Sequence, residues 1–231
     1  FNNCFDESTA KSIKNRLGSA DMVTGSNAFA HNDNPDVLIE AASCILKHEG
    51  HLCLEVMYAG DLLEMLQWDT LYHEHLTFYC LNTIQVLLNK YGFHVIDAER
   101  IPMHGGSLRI VATRDQKQIV QPSVSKLLKY ESDNLLTNPE TWINFGQNIG
   151  RKIEVVRKTM LHLSKNSRIW GYGAAGKATL WVNACQMDFL EAMVDASPLR
   201  AGKLMPGTHT PIVFPDELKA ARASQYSDIR P

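Results

Sequence analysis

Residues 21–57 read DMVTGSNAFAHNDNPDVLIEAASCILKHEGHLCLEVM, and this stretch decides the fold. Its first six residues predict a short strand, after which Asn34-Pro35 supplies a helix N-cap and a proline at the first helical position. Apolar residues from Val37 to Leu46 follow at helical spacing, and we predict that the helix ends at Gly50. The last six residues predict a second strand. Because a helical crossover joins the two strands, we expect them to run parallel, as in α/β proteins.

Downstream of this stretch the sequence predicts one more helix and an antiparallel hairpin. The helix covers residues 82–92, and the strands cover 93–97 and 108–113, with two glycines in the turn between them. Residues 1–115 therefore predict a parallel α/β sheet that is closed by an antiparallel edge hairpin. An α/β domain normally has more strands ahead of the first one here, so we expect the chain to be a fragment whose first strands are missing. The first residue, Phe1, indicates the same.

A second α/β segment follows a linking segment. We expect residues 116–166 to link the two parts and to end in a long helix that begins at Asn138-Pro139 and carries an apolar stripe. Residues 167–231 predict a smaller nucleotide-fold domain of Rossmann-like type, in which strands and helices alternate. Its predicted strands are 168–172, 190–195 and 211–214, and its predicted helices are 177–185 and one that starts at Pro215.

Composition and charge exclude several classes of protein. The chain has 231 residues, 45% of them apolar, and 23 basic side chains against 25 acidic ones give a formal charge of −2. Such a balance gives no electrostatic reason to expect nucleic acid or a membrane surface as a partner. Apolar runs stay well short of the roughly 18 residues that a membrane span needs. The five cysteines are scattered without a C-x-x-C, so we expect reduced thiols, a cytoplasmic location and no metal site in this chain.

The segment Tyr72-His73-Glu74-His75 is the first candidate for chemistry. Four protonatable groups in succession follow a strand, at the edge where α/β sheets place their ligands. An imidazole there could act as a general base near neutral pH, with a carboxylate and a phenol close enough to orient it or to donate. If the segment is extended, Tyr72 and Glu74 share one face and the two histidines share the other. A polar loop remains an alternative, and a metal site lacks an obvious third ligand.

Two further candidates flank strands of the first half. His31 follows the first strand, although a lone histidine is more often a hydrogen-bonded structural residue than a catalyst. The predicted hairpin turn reads His104-Gly105-Gly106-Ser107-Leu108-Arg109. A glycine pair with a serine and an arginine beyond it could bind an anion, and a plain turn with a solvated arginine is the equal alternative.

The segment Gly171-Tyr172-Gly173-Ala174-Ala175-Gly176-Lys177 matches G-x-G-x-x-G between a predicted strand and a predicted helix. Glycines let the backbone approach a phosphate, and the helix N-terminus favours the anion. Asp195 ends the next strand, where a dinucleotide fold places the acidic residue that binds a ribose. NAD is one candidate ligand, although residues 167–231 could form only half of a dinucleotide fold. A tight turn without a ligand is the structural alternative.

Five ordered blocks together resemble the sugar C-methyltransferase family. They are Asn27-Ala28-Phe29-Ala30-His31, residues 72–75, residues 104–109, Gly171-Tyr172-Gly173-Ala174 with Lys177, and Leu204-Met205-Pro206-Gly207-Thr208-His209. The resemblance runs from about Phe5 to Leu218 and implies methyl transfer from S-adenosylmethionine to a carbon of a nucleotide-linked deoxysugar. It also implies the C-terminal half of a class I methyltransferase sheet followed by the family's C-terminal domain. The family's zinc-binding domain and Gly-rich first strand-turn have no counterpart here, so zinc belongs only to a preceding region, and the chain alone is expected to be inactive.

The resemblance also assigns roles to residues. Four side chains are implied to be catalytic: His75, Glu74, Tyr72 and His31. We expect His75 to remove a C–H proton next to a ketone while Glu74 holds its tautomer, and Tyr72 and His31 to donate to the enolate oxygen. Asn27 and Ala28 are implied to contact the cofactor. The nucleotide-diphosphate sugar is assigned to His104, Arg109, Gly171, Gly173, Gly176 and Lys177. An NAD-dependent oxidoreductase fragment and a non-catalytic nucleotide-binding module stay open as alternatives.

Overall fold

The computed structural model describes residues 1–227, and the chain divides into two compact units, Phe1–Phe145 and Gly146–Pro231. The boundary lies inside the long helix α6 (Pro139–Ser164), which begins where the sequence predicts it. The division therefore differs from the predicted bounds at 115 and 166. The physical reason is packing, because a helix that follows residue 116 packs on the first unit while the later part of α6 packs on the core of the second.

The first unit contains helices and strands in the following chain order. They are α1 (Glu7–Leu17), β1 (Ala20–Ser26), α2 (Pro35–Ile45), β2 (Leu46–Met57), α3 (Ala59–Glu64), α4 (Leu81–Asn89), β3 (His94–Ile101), β4 (Ser107–Thr113) and α5 (Pro122–Asp133). Three short 3-10 turns stand between them, at Phe29–His31, Trp68–Thr70 and Met103–Gly105.

The four strands form one mixed sheet in the order β1-β2-β4-β3. Strands β1 and β2 are parallel, and β4 runs antiparallel to both of its neighbours. The α/β prediction with an antiparallel hairpin at the edge is therefore confirmed. Within the hairpin the second strand is the inner one, so β3 forms the edge of the sheet.

The core of this unit lies on one side of the sheet. Leu54, Ile110 and Ala98 are neighbours across β2, β4 and β3, and all three are buried. Helix α4 contributes Ile84 and Leu88 to the same core, each without exposed surface. Burying one such side chain contributes about 1.5–3 kcal/mol, which is why the apolar spacing of these segments predicts their structure well.

Several predicted boundaries are wrong. Helix α2 ends at Ile45, and Gly50 lies inside β2, where an added Cβ would come within 3.0 Å of Leu46 Cδ2. The glycine is thus required by a bulged pairing with β1 and does not end the helix. Helix α4 is capped at Cys80 and not at Asn82. Helices α1, α3 and α5 have no counterpart in the prediction.

The second unit contains the later part of α6 and a small parallel sheet. The remaining elements are β5 (Trp170–Tyr172), α7 (Gly176–Ala184), β6 (Ala192–Val194), β7 (Ile212–Val213) and α8 (Pro215–Ser227), and the strand order is β5-β6-β7. The strands are shorter than predicted. Val182, Met193 and Met205 are at the centre of the core. Among residues 1–227, no helix has the length and apolar character that crossing a membrane requires.

Candidate active site

One backbone carbonyl brings the two histidine segments of the first unit together. The oxygen of Ala30, in the turn after β1, accepts hydrogen bonds from the amides of Leu76 and Thr77, at 3.0 and 3.3 Å. This junction holds the residues after His75 against the turn that carries His31. The two imidazole rings lie edge to face, with centroids 5.0 Å apart.

A turn, and not an extended segment, sets the positions of Tyr72 and His75. The amide of His75 donates to the Tyr72 carbonyl at 2.9 Å, and the ring centroids of the two residues are 4.2 Å apart. The predicted alternation of faces is therefore wrong, since an i to i+3 contact replaces the period of two. Both remaining side chains of the segment, His73 and Glu74, are exposed.

The His75 ring is oriented by a backbone carbonyl. Its Nδ1 lies 2.6 Å from the Thr70 oxygen, and a carbonyl oxygen can only accept, so Nδ1 carries the proton. In the neutral ring Nε2 is then the basic nitrogen, and among the described residues it has no hydrogen-bond partner. The expectation that Glu74 holds the tautomer is wrong, because Thr70 occupies the position at Nδ1.

Asn27 directly follows β1, has a left-handed φ of 51° and belongs to a polar row across the sheet. Its Nδ2 donates to Glu55 Oε1 at 3.3 Å, and Glu55 Oε2 accepts from Arg109 Nη2 at 3.1 Å. The Asn27 amide oxygen is buried and has no donor among the described residues. The next residue, Ala28, is exposed at the rim of an apolar cavity of about 250 Å³.

The two residues predicted at the hairpin turn lie in different surroundings. Arg109 is in β4, where its guanidinium is paired with Glu55 and has Glu99 at 3.9 Å, so its charge is largely offset. His104 is exposed in the turn, in a run of three residues whose φ angles are 52°, 91° and 128°. The side chain of Gln67 holds this turn, because its Nε2 donates to the Gly105 carbonyl at 2.5 Å.

Sequence reasoning missed Gln67 and Thr70. Both come from the irregular stretch between β2 and α4, and each acts partly through its main chain. Neither residue type is a typical catalytic group. The only signal available was their position just before the Tyr72 segment.

In the second unit the glycines of the Gly171 motif have different roles. A Cβ at Gly171 would come within 2.0 Å of Met193 Sδ, so this glycine is required by packing between β5 and β6. Gly173 has a φ of 89° with open space around it, and Gly176 begins α7, where Lys177 is exposed. Only the second part of the motif therefore has room for a ligand.

Asp195, which a dinucleotide fold would direct at a ribose, is engaged within the protein. Its carboxylate accepts from the amides of Ser197 and Ala174, both at 2.8 Å, and from Arg200 Nη1 at 3.2 Å. The two amide hydrogen bonds, with a smaller contribution from Arg200, hold the pKa of this carboxyl below its ordinary value. Because three of about four acceptor positions on this carboxylate are occupied, little capacity is left for the two hydroxyls of a ribose, and this geometry disfavours the NAD alternative.

Residues 204–209, the last block of the resemblance, lie at the opposite end of the small sheet's strands from the Gly171 motif. They precede β7, whereas the motif follows β5, and the strands are parallel. Asn183 of α7 fixes this block, since its Nδ2 donates to the Pro206 carbonyl at 2.9 Å. Among residues 1–227, no group of three or more His, Cys, Asp or Glu residues is arranged to hold a metal ion.

Comparison with known proteins identifies the family. Residues 102–227 match the sequence family described as "C-methyltransferase C-terminal domain", which is more than half of the chain. The chain belongs to this family. It is also similar to the C-methyltransferase NovU of Streptomyces niveus, with 28% identity over 217 residues that cover 92% of this chain and 52% of NovU. The chain therefore spans about half the length of this curated relative.

Solved structures give weaker similarities. A SAM-dependent methyltransferase from Anabaena variabilis is 14% identical, with a TM-score of 0.36 over 48% of this chain and 56% of that one. The magnesium protoporphyrin IX methyltransferase ChlM from Synechocystis, solved with bound SAH, is 15% identical, with a TM-score of 0.34 over 42% and 46%. The family assignment rests on the sequence matches alone.

Proposed function

We propose that the protein is a C-methyltransferase that moves a methyl group from S-adenosylmethionine to a carbon next to a ketone in a nucleotide-linked deoxysugar. The family of the chain and its similarity to NovU support this reaction. The observation that carries the proposal is the His75 imidazole, whose Nδ1 is bonded to Thr70 and whose Nε2 is left to act as a base.

The chemistry of the reaction explains why such a base is needed. A carbon accepts an electrophilic methyl group only after it has gained electron density, and next to a ketone this comes from removing a C–H proton. In the proposal His75 Nε2 takes that proton, and the electron pair moves onto the ketone oxygen as an enolate. The bond to Thr70 then also stabilises the imidazolium that forms.

Tyr72 and His31 are proposed as donors to the enolate oxygen. Their rings are 4.2 and 5.0 Å from the His75 ring, measured between centroids, so both proposed donors lie next to the proposed base. Donors fixed before the reaction stabilise charge that develops in the transition state. Glu74 is exposed and does not set the tautomer of His75, and we propose that it lies at the rim of the site.

The residues at the end of β1 fit a cofactor with an amino group. The buried Asn27 oxygen has no donor among the described residues, and a ligand N–H would satisfy it. We propose that Asn27 and Ala28 hold S-adenosylmethionine, which when bound supplies a methyl group on a positively charged sulfur. Glu55 and Ser26 keep the Asn27 side chain in place by accepting from its Nδ2.

For the second unit by itself we propose a site that binds a diphosphate group. Helix α7 begins at Gly176 with no side-chain cap on its first amides, and Lys177 is exposed in the same turn. The amides at a helix N-terminus, together with a lysine, favour an anion. Gly173 leaves room for it, whereas Gly171 is assigned to packing.

A methyl-transfer assay tests the proposal. An intact enzyme that contains this chain is incubated with S-adenosylmethionine labelled in its methyl group and with a panel of dTDP-linked ketodeoxysugars, and carbon-bound label is measured. We expect His75→Ala to lower kcat by about 10²–10⁴-fold, the usual contribution of a general base. His73→Ala is the matched control, because His73 is two residues away and exposed. Equal rates for the parent and His75→Ala would refute the assignment of the base.

A further inference from the structure

We infer that Thr70 and Gln67 are positioning residues that fix the His75 ring and tie it to the turn at His104. Three hydrogen bonds carry the inference: His75 donates to Thr70, Thr70 donates to Gln67, and Gln67 donates to Gly105. The inference deepens the proposed function. Only the expected changes in kcat and KM rest on that function, whereas the orientation of the His75 ring does not.

The first step is the Thr70 carbonyl. Besides His75 Nδ1 at 2.6 Å it accepts from the amide of Tyr72 at 3.0 Å. A single oxygen thus orients the base and also places the backbone of the tyrosine proposed as a donor. Because the carbonyl is part of the main chain, its direction depends on how Thr70 itself is held.

The second step is the pair of hydrogen bonds that hold Thr70. Its hydroxyl and its amide both donate to the Gln67 carbonyl, at 2.7 and 3.1 Å, and only 2% of the residue is exposed. Because Thr70 is buried, its hydroxyl has little access to water, and the bond to the Gln67 carbonyl fixes the side chain. The Thr70 side chain therefore determines the direction of the carbonyl that His75 contacts.

The third step is the Gln67 side chain. Its amide nitrogen donates to the Gly105 carbonyl at 2.5 Å, and its main-chain amide donates to Leu62 of α3 at 3.0 Å. A Cβ at Gly105 would come within 3.0 Å of Gln67 Oε1, so this residue is glycine where Gln67 packs. The turn that carries His104 is thereby placed at a fixed distance from the base.

The tautomer of His75 tests the Thr70 step without any substrate. Two-bond proton–nitrogen NMR spectra of the chain are expected to show the proton of the neutral ring on Nδ1. Thr70→Val keeps the shape but loses the hydroxyl, and we expect the fraction of the other tautomer to rise about fivefold, the size of one lost neutral hydrogen bond. Thr70→Ser should restore the parent spectrum.

Thr113→Val is the matched control for this experiment. Thr113 is fully buried, and its hydroxyl donates to a carbonyl, that of Gly50, at 3.0 Å. We expect it to lower stability as Thr70→Val does while leaving the His75 spectrum unchanged. If Thr70→Val also leaves the spectrum unchanged, or if Thr113→Val shifts it equally, the inference about Thr70 is overturned.

The kinetics of methyl transfer distinguish the effects of Thr70 and Gln67, and they test the role of Gln67. Thr70→Val is expected to lower kcat with little change in KM, since it disturbs the base. Gln67→Glu places an oxygen opposite the Gly105 carbonyl, and we expect KM for the sugar nucleotide to rise about tenfold. Gln116→Glu is the control, because Gln116 only contacts the partly exposed His94. An unchanged KM in Gln67→Glu would overturn the Gln67 step, whereas an active His75→Ala would instead overturn the proposed function.

Discussion

The two units each place a polar segment after parallel strands, and the segments differ in what they leave available. In the first unit the His75 ring has Nδ1 bonded to Thr70 and Nε2 without a partner among the described residues. In the second unit the Asp195 carboxylate accepts from Ala174, Ser197 and Arg200. A sequence motif can place a reactive group at the end of the sheet where ligands bind. Whether that group can react depends on how many hydrogen bonds it already makes within the protein.

The largest expected effect contrasts two tyrosines. Tyr72→Phe removes the phenol that we propose as a donor to the enolate, and we expect kcat to fall about a hundredfold. Tyr172→Phe in the second unit is the control, since Tyr172 is 75% exposed and has no assigned role. Steady-state methyl transfer measures both variants, and a Tyr72→Phe enzyme with the parent kcat would remove Tyr72 from the mechanism.

Substitution of one glycine in each unit compares how constrained the turn at His104 and the Gly171 motif are. In Gly106→Ala the new Cβ would come within 2.4 Å of Asp61 at a φ of 128°, and we expect a loss of about 2–3 kcal/mol. In Gly173→Ala the φ is 89° with open space, so only backbone strain remains, about 1 kcal/mol. Urea denaturation measures the difference. Equal losses would show that the turn at His104 is no more constrained than the Gly171 motif.

The smallest expected effect is the pH dependence of the Asp195 contact. The pKa of this carboxyl is lowered in the folded chain, so the contribution of its ionised form is complete above the ordinary pKa and is lost as the pH falls through the lowered one. We expect the protection factor of the Ala174 amide, which compares its exchange rate with that of an unstructured peptide at the same pH, to fall over that acid range. Asp195→Asn should show low protection of this amide at every pH, and an Ala174 protection factor that does not change with pH would contradict the role of the carboxylate.

Sequence patterns predict the parts of the fold that depend on apolar spacing. Helix α4, strand β4 and the long helix α6 are found because their apolar residues recur with a regular period. Helix α5 is missed because one of its buried residues is a carboxylate. Glu131 is 3% exposed and accepts from the first amides of α4, at 2.5 and 2.9 Å, a contact that no local pattern indicates.

The candidate site divides in the same way. Residue types predict His31, Tyr72 and His75, since these side chains can transfer protons. Their arrangement depends on the carbonyls of Ala30 and Thr70, which any residue would supply, so the sequence carries no sign of it. For this reason the sequence predicts Glu74 as the partner of His75, whereas in the structure the partner is the Thr70 carbonyl.

The measurement that tests the central claim most directly is solvent exchange at the carbon next to the ketone of the sugar nucleotide. An intact enzyme that contains this chain is placed with its substrate in heavy water without a methyl donor, and loss of the C–H signal is followed by proton NMR. The parent is expected to exchange this hydrogen, and His75→Ala is expected to slow the exchange by about a hundredfold or more. Exchange by His75→Ala at the parent rate would contradict the account, because the base would then be another group.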